Sequence, residues 1–214
     1  MTHRRLLAVA AACAAVLCLL LGAPGLRAQA ADYYRALDPP QPPGAPGHIE
    51  VIEFFSYGCP HCAEFAPLVA TWQSSLPKDV VFRRVPVGFD RPAWINLQRA
   101  WYALQASGDA GLDAALFKAI HEQHLQLFDA GSLADWIGKN GGHAEQFAAA
   151  YASFGVNNQT VQADKLAEAY HVEGVPTLAV NGEYVAQGTT FTEILANTSR
   201  LIDKVRAERG ARRR

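Results

Sequence analysis

The order of the apolar patterns predicts an α/β fold: a β-α-β half, an inserted block of helices, then a β-β-α half. Three observations carry this reading. Ile49 to Phe55 is an apolar run without clean alternation, which suits a strand covered on both faces, and a helical pattern and a second strand follow within about 40 residues. Residues 92–170 repeat their apolar positions at helical spacing. Near the end, Val175 to Val180, the pair Asn181-Gly182 and Glu183 to Ala186 form the signature of a β-hairpin.

Taken in order, the first 30 residues read as a secretory signal peptide. Arg4 and Arg5 give the positive start, Leu6 to Leu21 is apolar, and Ala28-Gln29-Ala30 has the form of a cleavage site, placing the mature start near Ala31. The apolar run of 16 residues falls short of the roughly 20 a membrane helix needs. Cys13 and Cys18 lack the leucine three positions earlier that a lipoprotein signal favours, and read as small apolar residues. Removing this segment takes away three of the 19 basic residues and none of the 20 acidic ones. The balance of −4 that remains gives no electrostatic case for nucleic acid. No second apolar span follows, so a soluble mature protein is expected, in an oxidising compartment.

Tyr33 to Leu37 reads as a short edge strand, and Pro39 to Gly47 as an extended connector that can hold neither a helix nor a central strand. After the strand at 49–55, Pro60 sits at a helix start, where its missing N–H costs nothing, and Phe65, Leu68, Val69 and Trp72 continue the helix to Ser74. Pro77-Lys78-Asp79 ends it, and Val80 to Val87 is a second strand, parallel to the first. Trp94, Leu97, Trp101 and Leu104 mark a helix that Gly108 ends, and Leu112 to Leu127 marks the next. Ser132 with Asp135 opens a third, closed by Gly141-Gly142, and two more are expected over about 144–152 and 158–170. A last amphipathic helix runs to about Arg206, and the basic tail 209–214 reads as solvated and disordered. A strand-helix-strand half joined to a hairpin-helix half is the thioredoxin fold. The expected domains are thus a thioredoxin-like one over 31–91 and 157–208, and an inserted helical one over 92–156.

The chemistry sits at Cys59-Pro60-His61-Cys62, the only cysteines beyond residue 30. With Cys59 at the helix N-cap and Pro60 at the first helical position, the Cys59 sulfur faces the free N–H groups of His61 and Cys62. These, with the charge of a protonated His61, lower a cysteine pKa from about 8.5 into the range of roughly 3.5–7.5. A drop of about 3 units favours the thiolate by about 4 kcal/mol. A stabilised thiolate stabilises the reduced pair and makes the disulfide an oxidant. Cys62, one turn deeper on the same face, is expected to be the buried, resolving thiol. A stapling disulfide three residues long closes almost no loop and stabilises little.

Zinc is the sharper rival, since Cys59-x-x-Cys62 and His121-x-x-His124 have zinc-ligand types. On the predicted helix, however, His124 points about 80° and His121 about 140° from Leu116, which makes them a boundary and a surface residue, and no metal is expected. Glu53, six residues before Cys59, is costly in an apolar strand unless it has a task. It is read as the proton partner of Cys62 through water, against the alternative of an acid reaching solvent at the strand end. A cis Val175-Pro176 bond would bring the Val175 backbone beside the dithiol, free to pair with an extended peptide. The sequence leaves cis and trans open.

Glu53 to Cys62 together with Gly174-Val175-Pro176-Thr177 resembles the DsbA family of periplasmic thiol:disulfide oxidoreductases, over nearly all of the chain beyond residue 30. The resemblance implies a strong oxidant with a low-pKa cysteine, attributes that come with the family. It implies that Cys59 is the exposed nucleophile, Cys62 the resolving thiol, Glu53 the buried acid, Pro176 a cis-proline and Val175 the neighbour of the substrate chain. It also implies a periplasmic location, unfolded exported proteins as substrates, a DsbB-like membrane quinone reductase as reoxidant, and no cofactor besides the Cys59–Cys62 disulfide. A monomer is expected. Gly58 stands where aromatic residues are usual. The alternatives are an isomerase or reductase using the same site, and a non-catalytic chaperone.

Overall fold

The structure, a computed structural model, describes residues 33–212. The leader, its cleavage site, Cys13 and Cys18 lie outside the described residues. No helix among the described residues is long and apolar enough to cross a membrane.

Five strands form one sheet: β1 (Tyr34–Ala36), β2 (Ile49–Phe55), β3 (Val80–Pro86), β4 (Thr177–Val180) and β5 (Tyr184–Ala186), in the order β1-β5-β4-β2-β3. β2 and β3 are parallel, with Glu53 opposite Arg84, and the other pairings are antiparallel. The helices are α1 (Pro60–Ser74), α2 (Pro92–Ser107), α3 (Asp113–His121), α4 (Ala130–Lys139), α5 (Ala144–Ala152), α6 (Phe154–Ala169) and α7 (Phe191–Arg212). This is the thioredoxin-like arrangement, with α2 to α6 between β3 and β4.

Every residue of β2 is buried. Strand residues alternate between the two faces, so each face has its own core. Ile49 and Val51 pack against Phe65 and Val69 of α1 and Leu201 and Val205 of α7. Ile52 and Phe54 pack on the other face against Ala163 and Ala167 of α6 and Tyr170. Phe55, at the end of β2, enters a third cluster with Leu97, Leu116, Leu133 and Phe147 of the helical block. Each fully buried aromatic or branched side chain contributes about 1.5–3 kcal/mol. The same alternation puts the two acids of β2 on opposite faces, and each meets one arginine of β3. Glu50 accepts from Arg83 Nε at 2.6 Å and from the Gly44 N–H at 3.0 Å, which fastens the proline-rich connector to the sheet. Glu53 accepts from Arg84 Nε at 2.7 Å.

The hairpin forms as the Asn181-Gly182 pair predicts. Both residues have positive φ, 58° and 68°, the requirement of a type I′ turn. A side chain on Gly182 would also run into the Gln41 carbonyl, whose residue pairs with the turn through its N–H.

Four boundaries differ from the sequence reading. α3 stops at His121, because His124 turns the chain with φ of 55° and brings Leu127 back into the core by a loop. α4 is opened by Asp129, not Ser132: the Asp129 carboxylate accepts from the Ser132 N–H at 3.0 Å and from its hydroxyl at 2.8 Å. α6 begins at Phe154, where Ser153 Oγ caps the Val156 N–H at 3.1 Å. α7 runs on to Arg212, and the basic tail is not simply solvated: Arg209 donates to the His48 carbonyl at 2.8 Å and to Asn181 Oδ1 at 2.6 Å.

Candidate active site

The dithiol stands where β2 hands over to α1. Cys59 is the N-cap, with extended backbone (φ −96°, ψ 117°), and Pro60 is the first helical residue. Both thiols are free. The Cys59 thiol donates to the Val175 carbonyl at 3.4 Å, so the loop before β4 does reach the dithiol, and the Val175–Pro176 bond is cis. Cys62 is wholly buried one turn further along the helix. Cys59 is more enclosed than an exposed nucleophile: only 5 % of its surface is accessible, in a cluster flanked by Trp94 and Val175.

The two sulfurs are driven apart electrically. The Cys59 thiol is lowered to about 6: the Cys62 side chain hydrogen-bonded beside it acts most strongly, burial opposes it, and the backbone N–H groups of Cys62 and His61 and the His61 charge add to the lowering. Cys62 is pushed far up, by burial first and then by the adjacent Cys59. One thiol of the pair thus gives up its proton readily and the other holds it. His61 itself is exposed, with Nδ1 3.7 Å from Glu64 Oε2 and its ring edge near Phe191. Its charge is the smallest of the contributions to Cys59, so the helix start does more than the histidine.

Glu53 does not reach solvent at the strand end. It is fully buried, and its carboxyl is held above the usual range, by burial first, against the opposing charge and hydrogen bond of Arg84. Its proximity to Asp113 raises it further. One oxygen, Oε2, takes the Arg84 bond, and Oε1 has no partner. The charge of Glu53 also acts on Cys62.

Arg84, Asp113 and Tyr57 were missed in the sequence, and His121 is placed differently from its reading there. Arg84 lies with its guanidinium 3.8 Å over the Phe55 ring and donates to Asp113 Oδ2 at 2.8 Å as well as to Glu53. Tyr57, two residues before Cys59, is buried and donates to Asp113 Oδ1 at 2.5 Å. His121, read as a surface residue, is half-buried, and its Nε2 donates to the Tyr57 carbonyl at 2.6 Å. His124 is exposed beyond the end of α3. Among the described residues no three His, Cys, Asp or Glu side chains converge as metal ligands. The signal for Arg84 was present: two acids at odd and even positions of one strand, and two adjacent arginines in the strand beside it.

The structure also explains Gly58. A Cβ there would lie 2.6 Å from Trp94 Nε1 and 2.7 Å from Cδ1, so the indole of α2 fills the space beside the helix start. The Arg91 guanidinium stacks on that indole at 4.6 Å. Gly58→Ala is expected to destabilise by about 1–3 kcal/mol through overpacking. In a Trp94→Ala background the same change is expected to be close to neutral, since no ring remains to be displaced. Denaturant midpoints of the two single variants and the double variant measure this; an equal cost in both backgrounds would remove Trp94 from the explanation.

A thiol tuned to ionise beside a thiol tuned to stay protonated can make and break disulfides, and in a thioredoxin-like fold this defines a thiol:disulfide oxidoreductase. The model of the DSBA-like thioredoxin domain family matches residues 50–198. The chain belongs to that family. It is 38% identical over 204 residues to the thiol:disulfide interchange protein DsbA of Bordetella parapertussis, covering 95% of each chain. It is 39% identical over 192 residues to DsbA of Pseudomonas aeruginosa, covering 86% of this chain and 90% of that one. Among solved structures, the crystal structure of Pseudomonas aeruginosa DsbA superimposes with a TM-score of 0.79 at 38% identity, covering 83% of this chain and 94% of that one. DsbA from Xylella fastidiosa does so with a TM-score of 0.77 at 32% identity, covering 81% and 95%.

Proposed function

We propose that the protein donates its Cys59–Cys62 disulfide to newly exported proteins in the periplasm. A substrate thiolate attacks Cys59 Sγ, the Cys59–Cys62 bond breaks, and Cys62 leaves and takes up a proton. A second substrate thiolate then attacks the substrate sulfur of the mixed disulfide and releases Cys59 as a thiolate. The substrate loses two electrons and the enzyme gains them as a dithiol. In this reading Cys62 and the helix start that Pro60 opens set the ionisation of Cys59, His61 adds its N–H and a small charge contribution, and Glu53 supplies the proton to Cys62. Val175 and Pro176 present a backbone edge to the substrate. The helical segment 92–156 is taken as a subdomain inserted into the thioredoxin-like part. A DsbB-like membrane quinone reductase restores the disulfide, no cofactor beyond the cysteine pair is needed, and the mature enzyme acts as a soluble monomer.

The observation that carries the direction is the separation of the two thiols, with Cys59 lowered to about 6 and Cys62 raised. A stabilised leaving thiolate on the enzyme favours the reduced pair, so the disulfide gives its oxidation away. The rate of iodoacetamide alkylation of reduced protein is expected to rise with pH around a midpoint of about 6, and the pair is expected to be mostly reduced in a mixed glutathione buffer that leaves an ordinary structural disulfide intact. A midpoint near the ordinary cysteine value of about 8.5 would defeat the donor reading and point to a reductase.

A further inference from the structure

Glu53 is joined to the surface through a short charged chain. Arg84 donates Nε to Glu53 Oε2 at 2.7 Å and Nη1 to Asp113 Oδ2 at 2.8 Å, so one guanidinium is divided between two carboxylates. The other Asp113 oxygen is fixed by the Tyr57 hydroxyl at 2.5 Å. Side-chain exposure rises along the chain, from 1% at Glu53 through 16% at Arg84 to 26% at Asp113. All three side chains line one cavity of about 850 Å³ between α1 and α3. Glu53 Oε1 and Arg84 Nη2 are both buried without a partner. A buried acid paired with an arginine of its own would be held as a carboxylate; an acid that must share the arginine holds its proton more easily.

We propose that Asp113 is a positioning residue for the exchange reaction: by taking one arm of the Arg84 fork, and being held there by Tyr57, it keeps Glu53 able to carry the proton that Cys62 needs. This rests on the reading of Glu53 as the proton partner of Cys62. The step is a proton transfer alone. When the Cys59–Cys62 bond breaks, Cys62 leaves as a thiolate, the Glu53 carboxyl gives it a proton, and the Glu53 carboxylate regains one from solvent. Arg84 on β3 and Asp113 on α3 act on Glu53, Cys62 on α1 feels the Glu53 charge, and Tyr57 in the β2–α1 turn reaches the network through Asp113. Around the mouth of the cavity stand Glu64 of α1, Lys118 and His121 of α3, and Glu122 and His124 beyond it. Asp113 is the carboxylate among them that touches Arg84.

The test follows the Glu53 carboxyl by carbon NMR across pH in the reduced full-length protein, beside the pH profile of single-turnover oxidation of a cysteine peptide. Removing a neighbouring charge of like sign shifts such a titration by about one unit. In Asp113→Asn the Glu53 midpoint is therefore expected to fall by about one pH unit, with the falling limb of the rate profile moving by the same amount. Asp113→Glu, which keeps the charge, is expected to restore both. Lysine lacks the planar fork whose Nε and Nη1 arms reach the two carboxylates, so in an Arg84→Lys background Asp113→Asn is expected to shift the Glu53 midpoint much less. An unmoved Glu53 midpoint in Asp113→Asn overturns the proposal, even if stability falls. Should Asp113→Asn fail to fold, Arg84→Lys alone decides: a Glu53 titration identical to wild type would show that the shared fork has no influence. Glu53→Gln separates the two readings. If the rate limb survives that change, Glu53 is not the proton partner, whatever its titration does; if the limb is lost in Glu53→Gln but unmoved in Asp113→Asn, only the role of Asp113 fails.

Discussion

Cys59→Ser is expected to abolish disulfide exchange, by at least about 10³-fold, whereas Cys62→Ser is expected to halt it halfway. The two effects differ because the sulfurs differ. Cys59 has the helix N-terminus and its low titration, and it is the one with an opening to solvent, although a narrow one. With serine at 59, the remaining Cys62 is fully buried and holds its proton, so it neither attacks nor is attacked. With serine at 62, Cys59 still ionises, forms a mixed disulfide with glutathione or a cysteine peptide, and has no intramolecular partner to resolve it. Intact-mass spectrometry is expected to show one stable adduct per molecule of Cys62→Ser and none on Cys59→Ser. An adduct on Cys62, or multiple turnovers by Cys62→Ser at the wild-type rate, would reverse the assignment of roles. Cys62→Ala separates a further point. The Cys62 thiol beside Cys59 is the strongest influence holding its titration down, so losing that donor is expected to move the Cys59 alkylation midpoint above about 6.

The fold was legible because its punctuation is local. Pro60 at a helix start, Gly108 after a helix end and Asn181-Gly182 in a turn each act through their own backbone geometry, and the structure places all three as read. Helix ends that depend on choosing among neighbouring caps were less readable. Asp129 and Ser132 are both good N-caps three residues apart, and the one that won is the one whose carboxylate reaches the other's N–H and hydroxyl. The dithiol was legible for the same local reason, since the Cys59 cap and the Cys62 one-turn spacing lie within four residues. The charge network was not. Asp113 lies 60 residues from Glu53 in sequence, on a helix whose direction the periodicity does not fix, and nothing local marks it as different from any other first-turn acid. Trp94 escaped notice likewise: its pattern reads as core, and only the packing shows that it fills the space a side chain at 58 would take. Long-range polar partners are set by tertiary packing, and a single sequence carries them only as unexplained charges, such as the two acids of β2 and the two arginines of β3.

Those unexplained charges predict the largest stability effect. Arg84→Met is expected to destabilise the protein by about 3–5 kcal/mol at pH 7, and by much less near pH 4. Methionine matches the length of the aliphatic stem but leaves Glu53 without a counter-charge and Phe55 without the guanidinium on its ring. Already in the wild type the Glu53 carboxyl is raised by burial, with Arg84 opposing that rise. Removing the opposition raises it further above its unfolded value of about 4.3. A carboxyl raised on folding favours the folded state below its unfolded pKa, where it is protonated in both states, and that advantage is lost as pH climbs toward the folded pKa. The variant therefore loses about 1.4 kcal/mol per pH unit over that window, relative to its stability at pH 4. Urea midpoints at pH 4 and pH 7 for wild type and variant give the penalty at each pH. The double variant Glu53→Gln/Arg84→Met removes the titrating group, so its penalty is expected to be smaller at pH 7 and nearly flat with pH. Should Arg84→Met cost the same at both pH values, the loss would be one of packing over Phe55, and Glu53 would not be drawing on the charge of Arg84 at all.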